Sequence, residues 1–409
     1  MTALYDLQYE DIASQLDWRT QPSKISPRFM AISGDSHVVE PPEAYSRYID
    51  PKYREIAPKI IANPDRSSKQ QEVYWAEGLK PFVFYSGGGA GLKPQEVDME
   101  KSVFTGTHIG AWNSKHRIQA QERDGIMGEI LYPTIGMLLC ALPDVDYMQA
   151  CLRAFNQWLR DYCAENPKRL NGIGQSAARS PEDVIADFHE IRKLGLKGVM
   201  MPSKPSGDID YDHPDYDKVW ACAVEMGLPI SFHVLTGRGP HALAAPPRGG
   251  KLAGFGAIVR ELQDIAGLFI FGRVFERHPD LRIVLVEGDA GWAPHFCSRM
   301  NVAYKRHRYH MKTGELKRLP SEYFLDNIYM TFQDDWVALK NIDILNPRRL
   351  MWSNDYPHSD STWPWSHELL GHHTKHLTEE QINWVLRDNV KGLYKLDIDT
   401  SAARREAAA

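Results

Sequence analysis

Short apolar runs and longer amphipathic stretches alternate along this chain. Eight of the apolar runs are rich in valine, isoleucine, leucine and phenylalanine, and near-continuous runs of this length are typical of parallel strands covered on both faces. They lie at residues 29–37, 125–134, 169–177, 196–203, 228–234, 281–289, 327–333 and 349–358. We therefore expect a buried parallel sheet.

Helical patterns lie between these runs. Residues 146–166 carry apolar side chains at three- and four-residue spacing, which predicts an amphipathic helix. A second helix is predicted within residues 180–195, where Ser180 is placed to cap it and Pro181 to occupy its first turn. Further helices are predicted within residues 215–227 and 256–279.

Eight strands with intervening helices indicate an α/β protein with a (β/α)8 TIM barrel. A doubly wound open sheet is the alternative, and it would be expected to show a glycine-rich turn from a strand into a helix. The glycine-rich run at residues 87–91 is not followed by a helix start, so it gives the alternative little support.

Two insertions interrupt the predicted barrel. Residues 62–115, after the first strand, contain an alternating pattern around Glu77 and Gly78 that predicts a β-hairpin. Residues 236–256, after the fifth strand, are rich in glycine and proline without periodicity, which favours a lid or substrate-contacting loop. The chain thus divides into an N-terminal extension, the barrel and a tail, at residues 1–28, 29–396 and 397–409.

Composition narrows the class of protein. The 409 residues suffice for one large core, and a net charge of −5 with scattered basic residues gives no reason to expect nucleic-acid binding. A basic start followed by an apolar segment is missing, and the longest apolar stretch is too short to span a bilayer. The five cysteines show no zinc-site spacing, which favours reduced thiols. We therefore expect a cytoplasmic protein without membrane contact.

Histidines and carboxylates stand at the ends of four predicted strands. The first strand ends in Asp35 and His37, the fifth in His233 and the sixth in Glu287, and the eighth leads into Asp355. Side chains two residues apart point to the same side of a strand, and a parallel barrel has its active site at the carboxyl ends of its strands. Each residue alone could belong to a turn or be a buried histidine, but together they favour a site for Zn²⁺ or Mn²⁺.

This pattern resembles the amidohydrolase superfamily, in which an acid or histidine precedes a ligand histidine by two residues on the first strand. The similarity is greater to the amidohydrolase-related (amidohydrolase 2) branch, which includes aminocarboxymuconate-semialdehyde decarboxylase and aromatic-acid decarboxylases. Three further stretches of the chain resemble this branch, at residues 269–296, 353–360 and 388–397.

The resemblance implies one divalent metal ion, with zinc as the first expectation and manganese as the second. Asp35, His37, His233 and Asp355 would hold it. Glu287 departs from the pattern, because the decarboxylases of this branch usually place a histidine there that acts on the substrate. A glutamate can serve as general base or orient a water, which suits hydrolysis.

Four other residues are candidates for the site. His358 lies three residues beyond Asp355 and is either a support for that ligand or an exposed residue. Arg238 and His241, in the second insertion, are candidates for binding a substrate carboxylate, although loop arginines are commonly solvated. Trp292 is a candidate wall of an aromatic pocket, with core packing as the alternative.

These observations lead to three functional hypotheses. The first is a metal-dependent hydrolase of a small organic acid or aromatic compound, in which a metal-activated water loses its proton to Asp355 with help from Glu287. The alternative is a non-oxidative decarboxylase of an aromatic or unsaturated carboxylic acid. The third is a metal-binding barrel without turnover. A small-molecule substrate is the expected partner, and the family resemblance alone suggests a homo-oligomer.

Overall fold

The computed structural model describes residues 6–65, 67–68, 70–83, 88–97, 103–237, 251–401 and 403, with Lys251 described by its backbone alone. The strands are β1 Ala31–Val38, β2 Lys59–Ala62, β3 Glu72–Trp75, β4 Ile126–Pro133, β5 Leu170–Gln175, β6 Gly198–Met201, β7 Ile230–His233, β8 Ile283–Val286, β9 Ile328–Phe332 and β10 Leu350–Trp352. The first eight α-helices are α1 Tyr9–Ala13, α2 Glu43–Ser46, α3 Ser114–Arg123, α4 Ile135–Leu139, α5 Val145–Cys163, α6 Pro181–Lys193, α7 Asp217–Met226 and α8 Lys251–Phe255. The others are α9 Arg260–Phe271, α10 Val274–Arg277, α11 Ala293–Met311, α12 Pro320–Asn327, α13 Trp336–Lys340, α14 Ser366–His373, α15 Glu379–Asn383 and α16 Asn389–Leu393.

Eight of the strands form one parallel sheet in the order β1, β4, β5, β6, β7, β8, β9, β10. Neighbours in this order are consecutive barrel strands, helices lie between them, and the sheet closes almost completely into a barrel. Seven of the eight strands fall within the predicted apolar runs, and β1 extends one residue beyond its run. The predicted (β/α)8 barrel is therefore confirmed.

The barrel interior is filled by apolar side chains that its strands point inwards. They form one buried cluster with members from six of the eight barrel strands, including Ile32, Ile130, Ile173, Met200, Val284 and Met351. A larger buried cluster packs the outer faces of the strands against the surrounding helices. The barrel is thus a solid core, and its chemistry is confined to the strand ends.

The seam between β1 and β10 completes the barrel. Beyond the end of β10, the Asp355 N–H donates to the Asp35 carbonyl at 3.2 Å, and the His37 N–H donates to the Tyr356 carbonyl at 2.8 Å. Gly34 lies at this seam, where a Cβ atom would come within 3.0 Å of the Met351 Cβ. The close approach of first and last strands therefore requires a glycine beside Asp35.

The first insertion contains a small antiparallel ribbon. Strands β2 and β3 pair from Lys59 opposite Trp75 to Ala62 opposite Glu72. The predicted hairpin around Gly78 is present as one bridge, in which the Tyr74 N–H donates to the Phe82 carbonyl at 2.8 Å and the reverse bond measures 3.0 Å. The sequence pattern did not predict β2. It pairs with β3 over four residues, whereas Phe82 pairs with β3 through a single bridge.

The segment before β1 packs across the loop that follows β10. The Tyr9 hydroxyl donates to the Trp363 carbonyl at 2.6 Å. The Trp18 ring lies 5.2 Å from the ring of Trp363 and 5.5 Å from that of His108. The predicted N-terminal extension thus lies against the carboxyl end of the barrel.

Membrane-spanning helices and disulfide bonds both bear on the class of protein. Across the described part of the chain, no helix is long and apolar enough to cross a membrane. None of the five cysteines forms a disulfide bond.

Candidate metal centre

The carboxyl ends of four barrel strands bring five candidate ligating side chains together. Asp35 and His37 come from β1, His233 ends β7, Glu287 follows β8, and Asp355 lies three residues beyond β10. Four of them are fully buried, whereas the Glu287 side chain is 13% exposed. Glu287 is therefore the member of the cluster that faces the solvent side.

The imidazole of His37 lies at the middle of this cluster. Its Nε2 atom is 3.4 Å from an oxygen of Asp35, 3.4 Å from an oxygen of Glu287 and 3.3 Å from an oxygen of Asp355. The Nε2 atom of His233 is 3.3 Å from that of His37 and 3.2 Å from Glu287 Oε2. Ligands about 2.0–2.2 Å from one ion lie about 3.0–3.5 Å from each other, so these separations fit metal ligation. The candidate ligand atoms form two overlapping groups that share His37 and Glu287: one adds Asp35 and His233, the other Asp355 and His358.

Both histidines are oriented by bonds on their other ring nitrogen. His37 Nδ1 lies 2.8 Å from the Pro133 carbonyl, and His233 Nδ1 lies 3.0 Å from the Val234 carbonyl. Since a carbonyl can only accept, each Nδ1 carries the proton and each Nε2 presents a lone pair to the cluster. This arrangement is the usual one for metal-ligating histidines.

The carboxylates in the cluster have no hydrogen-bond donors of their own. Both oxygens of Asp35, both of Asp355 and Oε2 of Glu287 are buried without a hydrogen-bond partner. Buried charges are costly unless they are paired or coordinate a metal. The donor set of two imidazoles and three carboxylates therefore fits a divalent cation.

The protonation equilibria show the same excess of negative charge. Burial opposes ionisation of Asp35, but the nearby imidazoles of His233 and His37 hold its pKa below the usual range. Burial and the neighbouring Glu287 raise the pKa of Asp355 well above its usual range. Although burial disfavours the imidazolium, Asp35 and Glu287 raise the pKa of His37. The apo cluster thus balances its charge with protons, which a cation would displace.

Two of the carboxylates in the cluster belong to residues with strained backbone conformations. Glu287 and Asp355 adopt left-handed conformations with φ of 60° and 52°, a region that non-glycine residues seldom occupy. The Glu287 N–H donates to the hydroxyl of Thr331 at 2.8 Å, which fixes the first residue after β8. Such strain persists where the surrounding structure enforces it, and it is common at functional sites.

His358 lies beside the cluster and supports it. Its ring stacks on that of His37 with 3.9 Å between centroids, and its Nδ1 atom is 3.1 Å from Asp355 Oδ1. Nε2 lies 3.0 Å from the hydroxyl of Thr134. Burial and the nearby His37 lower the pKa of His358, which favours a neutral ring. Of the two interpretations of His358, the structure places it against the proposed ligand Asp355.

The structure describes one of the three substrate-contact candidates. Arg238 and His241 lie outside the described residues. The Trp292 ring packs against Phe296 and Phe324 at 5.4 and 5.9 Å, and its Nε1 donates to the Gly288 carbonyl at 2.8 Å. The side chain is therefore packed at the start of α11, and its contact with substrate remains a prediction.

Two acids beside the centre were not predicted as site residues. Asp289 and Asp360 are both exposed to solvent. Surrounding protein atoms and the nearby Asp335 raise the pKa of Asp289, and surrounding protein atoms and repulsion from Glu287 raise the pKa of Asp360. Both were visible in the sequence, because Asp289 closes the sixth predicted strand and Asp360 closes the 353–360 stretch.

Comparison with known proteins identifies the family. A family model described as amidohydrolase matches residues 143–396, which include His233, Glu287 and Asp355. The chain belongs to the amidohydrolase family. The amidohydrolase is accordingly an enzyme, either a hydrolase or a carboxy-lyase, and the superfamily resemblance in its sequence is confirmed.

Several individual proteins resemble this amidohydrolase. It is 28% identical over 266 residues to decarboxylase orsB of Emericella nidulans, which corresponds to 61% of this chain and 77% of that protein. An amidohydrolase structure from Mycobacterium avium subsp. paratuberculosis is 20% identical, with a TM-score of 0.70 over 90% of this chain and 99% of that chain. The structure of 5-carboxyvanillate decarboxylase from Novosphingobium aromaticivorans, complexed with manganese and 4-hydroxy-3-methoxy-5-nitrobenzoic acid, is 21% identical. Its TM-score is 0.65 over 92% of this chain and 99% of that chain.

Proposed function

We propose that this amidohydrolase is a metal-dependent, non-oxidative decarboxylase of an aromatic carboxylic acid with a hydroxyl group next to its carboxylate. The observation that carries the proposal is the pair of overlapping imidazole and carboxylate groups at the carboxyl end of the barrel, which share His37 and Glu287 and contain buried carboxylate oxygens without hydrogen-bond partners. The decarboxylases of Emericella nidulans and Novosphingobium aromaticivorans support this reaction over the hydrolysis expected from the sequence.

The proposed metal is manganese. Asp35, His37, His233 and Asp355 would hold it, with Glu287 close enough to join them. Carboxylate oxygens suit Mn²⁺, whereas sites richer in imidazole and thiolate favour zinc. Manganese in the 5-carboxyvanillate decarboxylase supports the same choice. A bound divalent cation would chelate the substrate carboxylate and the neighbouring oxygen and withdraw electron density from the ring.

The proposed reaction breaks the bond between the ring carbon and the carboxylate. Carbon dioxide leaves, and the electron pair left on the ring carbon takes up one proton. Glu287 is the proposed proton donor because it is the cluster carboxyl that reaches solvent, at 13% exposure, and can regain its proton there. His358 would hold Asp355 in place through the 3.1 Å contact.

Hydrolysis is the second candidate function, favoured by Glu287 itself. A carboxylate 3.2 Å from His233 Nε2 is placed to accept a proton from an attacking water. In this reaction the bond that breaks would be an amide or ester bond of the substrate.

Product analysis separates the two reactions. Manganese-loaded protein would be incubated with a panel of hydroxybenzoic acids, including 2,6-dihydroxybenzoate and 5-carboxyvanillate, and with aryl amides and lactones. Release of ¹³CO₂ from carboxyl-labelled acids, with the matching phenol as product, is expected. Acid release from the amides or lactones without ¹³CO₂ would overturn the proposal in favour of hydrolysis. Glu287→Gln is the control for site-dependent turnover.

A further inference from the structure

A buried arginine links the two segments that carry the candidate ligands. Arg117, on α3, is completely buried, and its Nε donates to Glu129 Oε2 at 2.6 Å. Its Nη1 donates to the His37 carbonyl at 2.6 Å and its Nη2 to the Tyr356 carbonyl at 3.1 Å. The guanidinium also lies 4.6 Å from the centre of the Tyr356 ring.

These two carbonyls flank the seam of the barrel. His37 is a candidate ligand at the end of β1, and Tyr356 directly follows the candidate ligand Asp355. The seam strands share no regular ladder in the described sheet, so their spacing depends on bonds made beyond the strand ends. A planar guanidinium with donors in a fixed geometry sets the distance between two acceptors, which an ammonium group cannot do.

Glu129 holds the guanidinium in this position. The same Oε2 atom accepts from the Gln121 side chain at 2.7 Å, and Glu129 itself is 1% exposed on β4. Glu129 therefore anchors the arginine to the second barrel strand, β4. The Nη1 and Nη2 atoms donate to one carbonyl on the first barrel strand and one after the last barrel strand.

We propose that Arg117 is a positioning residue for the metal centre: it fixes the separation between the β1 ligands and Asp355. This inference rests on the proposed metal site but not on the identity of the substrate. Because it acts on ligand geometry, its loss should alter metal binding itself and not only the stability of the fold.

The chain offers a matched control in Arg387. This arginine is also completely buried and also donates to two backbone carbonyls, those of Arg28 at 2.9 Å and Met30 at 2.8 Å. These carbonyls precede β1, at the end of the barrel opposite the metal centre. Both bonds come from its Nη1, so Arg387→Lys alters a buried guanidinium that holds two carbonyls without touching the candidate ligands.

The test compares Arg117→Lys with Arg387→Lys by titration with Mn²⁺, followed by electron paramagnetic resonance. Arg117→Lys is expected to weaken Mn²⁺ binding about 10- to 100-fold, the usual effect of removing support for a ligand, and to change the spectrum of the bound ion. Arg387→Lys should lower the unfolding temperature while Mn²⁺ affinity and spectrum stay those of the wild type.

Wild-type Mn²⁺ affinity and spectrum in Arg117→Lys would overturn the inference. If that variant does not fold, Glu129→Gln replaces it: it keeps the two carbonyl bonds but weakens their anchor, and a smaller loss of Mn²⁺ affinity is expected. Unchanged Mn²⁺ affinity in Glu129→Gln would then overturn the inference. Failure of the wild type to bind Mn²⁺ would instead refute the proposed metal site.

Discussion

Replacing Asp355 by asparagine should stabilise the metal-free protein. Burial and Glu287 raise the pKa of Asp355, so the folded apo protein keeps this carboxyl protonated where the unfolded chain has released the proton. At pH 7 this costs up to about 4 kcal/mol, from 1.36 kcal/mol for each of the roughly three units between an ordinary aspartate pKa and pH 7. Asp355→Asn removes the cost. The amide disturbs the 3.1 Å contact with His358, so a net gain of about 2 kcal/mol is expected.

The sign of this effect depends on pH and metal. A raised folded-state pKa costs no stability below the unfolded value near 4, and the cost grows as pH rises towards the folded pKa. The gain from Asp355→Asn should therefore be present at pH 7.5 and shrink towards pH 4. Manganese at 100 times its Kd stabilises the wild type by about 2.7 kcal/mol, and a variant with 100-fold weaker binding gains only about 0.4 kcal/mol.

Thermal unfolding followed by circular dichroism, with EDTA and with Mn²⁺, measures both effects. A gain of 2 kcal/mol corresponds to about 4 °C in a domain of this size, taking about 2 °C per kcal/mol. The control is Asp397→Asn, where the side chain is 89% exposed and no shift is expected. A lower unfolding temperature for Asp355→Asn in EDTA would mean that Asp355 serves as ion-pair partner of a protonated His37. That result would refute the reasoning.

Three further variants test other parts of the centre. His233→Gln should reduce Mn²⁺ binding at least about 100-fold in equilibrium dialysis with an unchanged circular dichroism spectrum, and stoichiometric manganese in this variant would exclude His233 as a ligand. Glu287→Gln should lower kcat about 10²- to 10⁴-fold in the ¹³CO₂ assay, the usual size of a proton-transfer contribution, and an unaltered kcat would remove that role. Asp335 accepts from three backbone N–H groups at 2.7, 2.8 and 2.9 Å, so Asp335→Ala should lose about 3 kcal/mol or more in urea unfolding. A loss below about 1 kcal/mol would contradict that role.

The barrel is predictable from the sequence because its strands are buried on both faces. Residues 281–289, for example, contain β8, whose four residues Ile283–Val286 are all buried and apolar. The ligand candidates are predictable for a related reason: a carboxylate or histidine directly after such a run lies at the carboxyl end of the barrel. Glu287 was expected as a general base, and the structure places it at ligand distance as well.

Helix α3 is an element that hydrophobic periodicity does not predict. The sequence of Ser114–Arg123 is mostly polar and lacks an apolar stripe, so no helix is predicted there. Its buried face consists of Arg117 and Gln121, whose side chains both donate hydrogen bonds to Glu129. Hydrophobic periodicity does not reveal a face buried through hydrogen bonds. The pairing of β2 with β3 was missed because the four residues of β2 are exposed or only partly buried and form no long apolar run.

The seam joins the first and last barrel strands, so the residues on its two sides are synthesised at different times. Asp35 and His37 leave the ribosome early, whereas Asp355 emerges only after nearly all of the barrel has been made. A nascent chain or a fragment that stops before β10 lacks that carboxylate and the backbone bonds that close the seam. If the proposed ion binds at the full set of residues, it would do so only late in synthesis or afterwards, and a chain truncated before β10 would lack the complete centre.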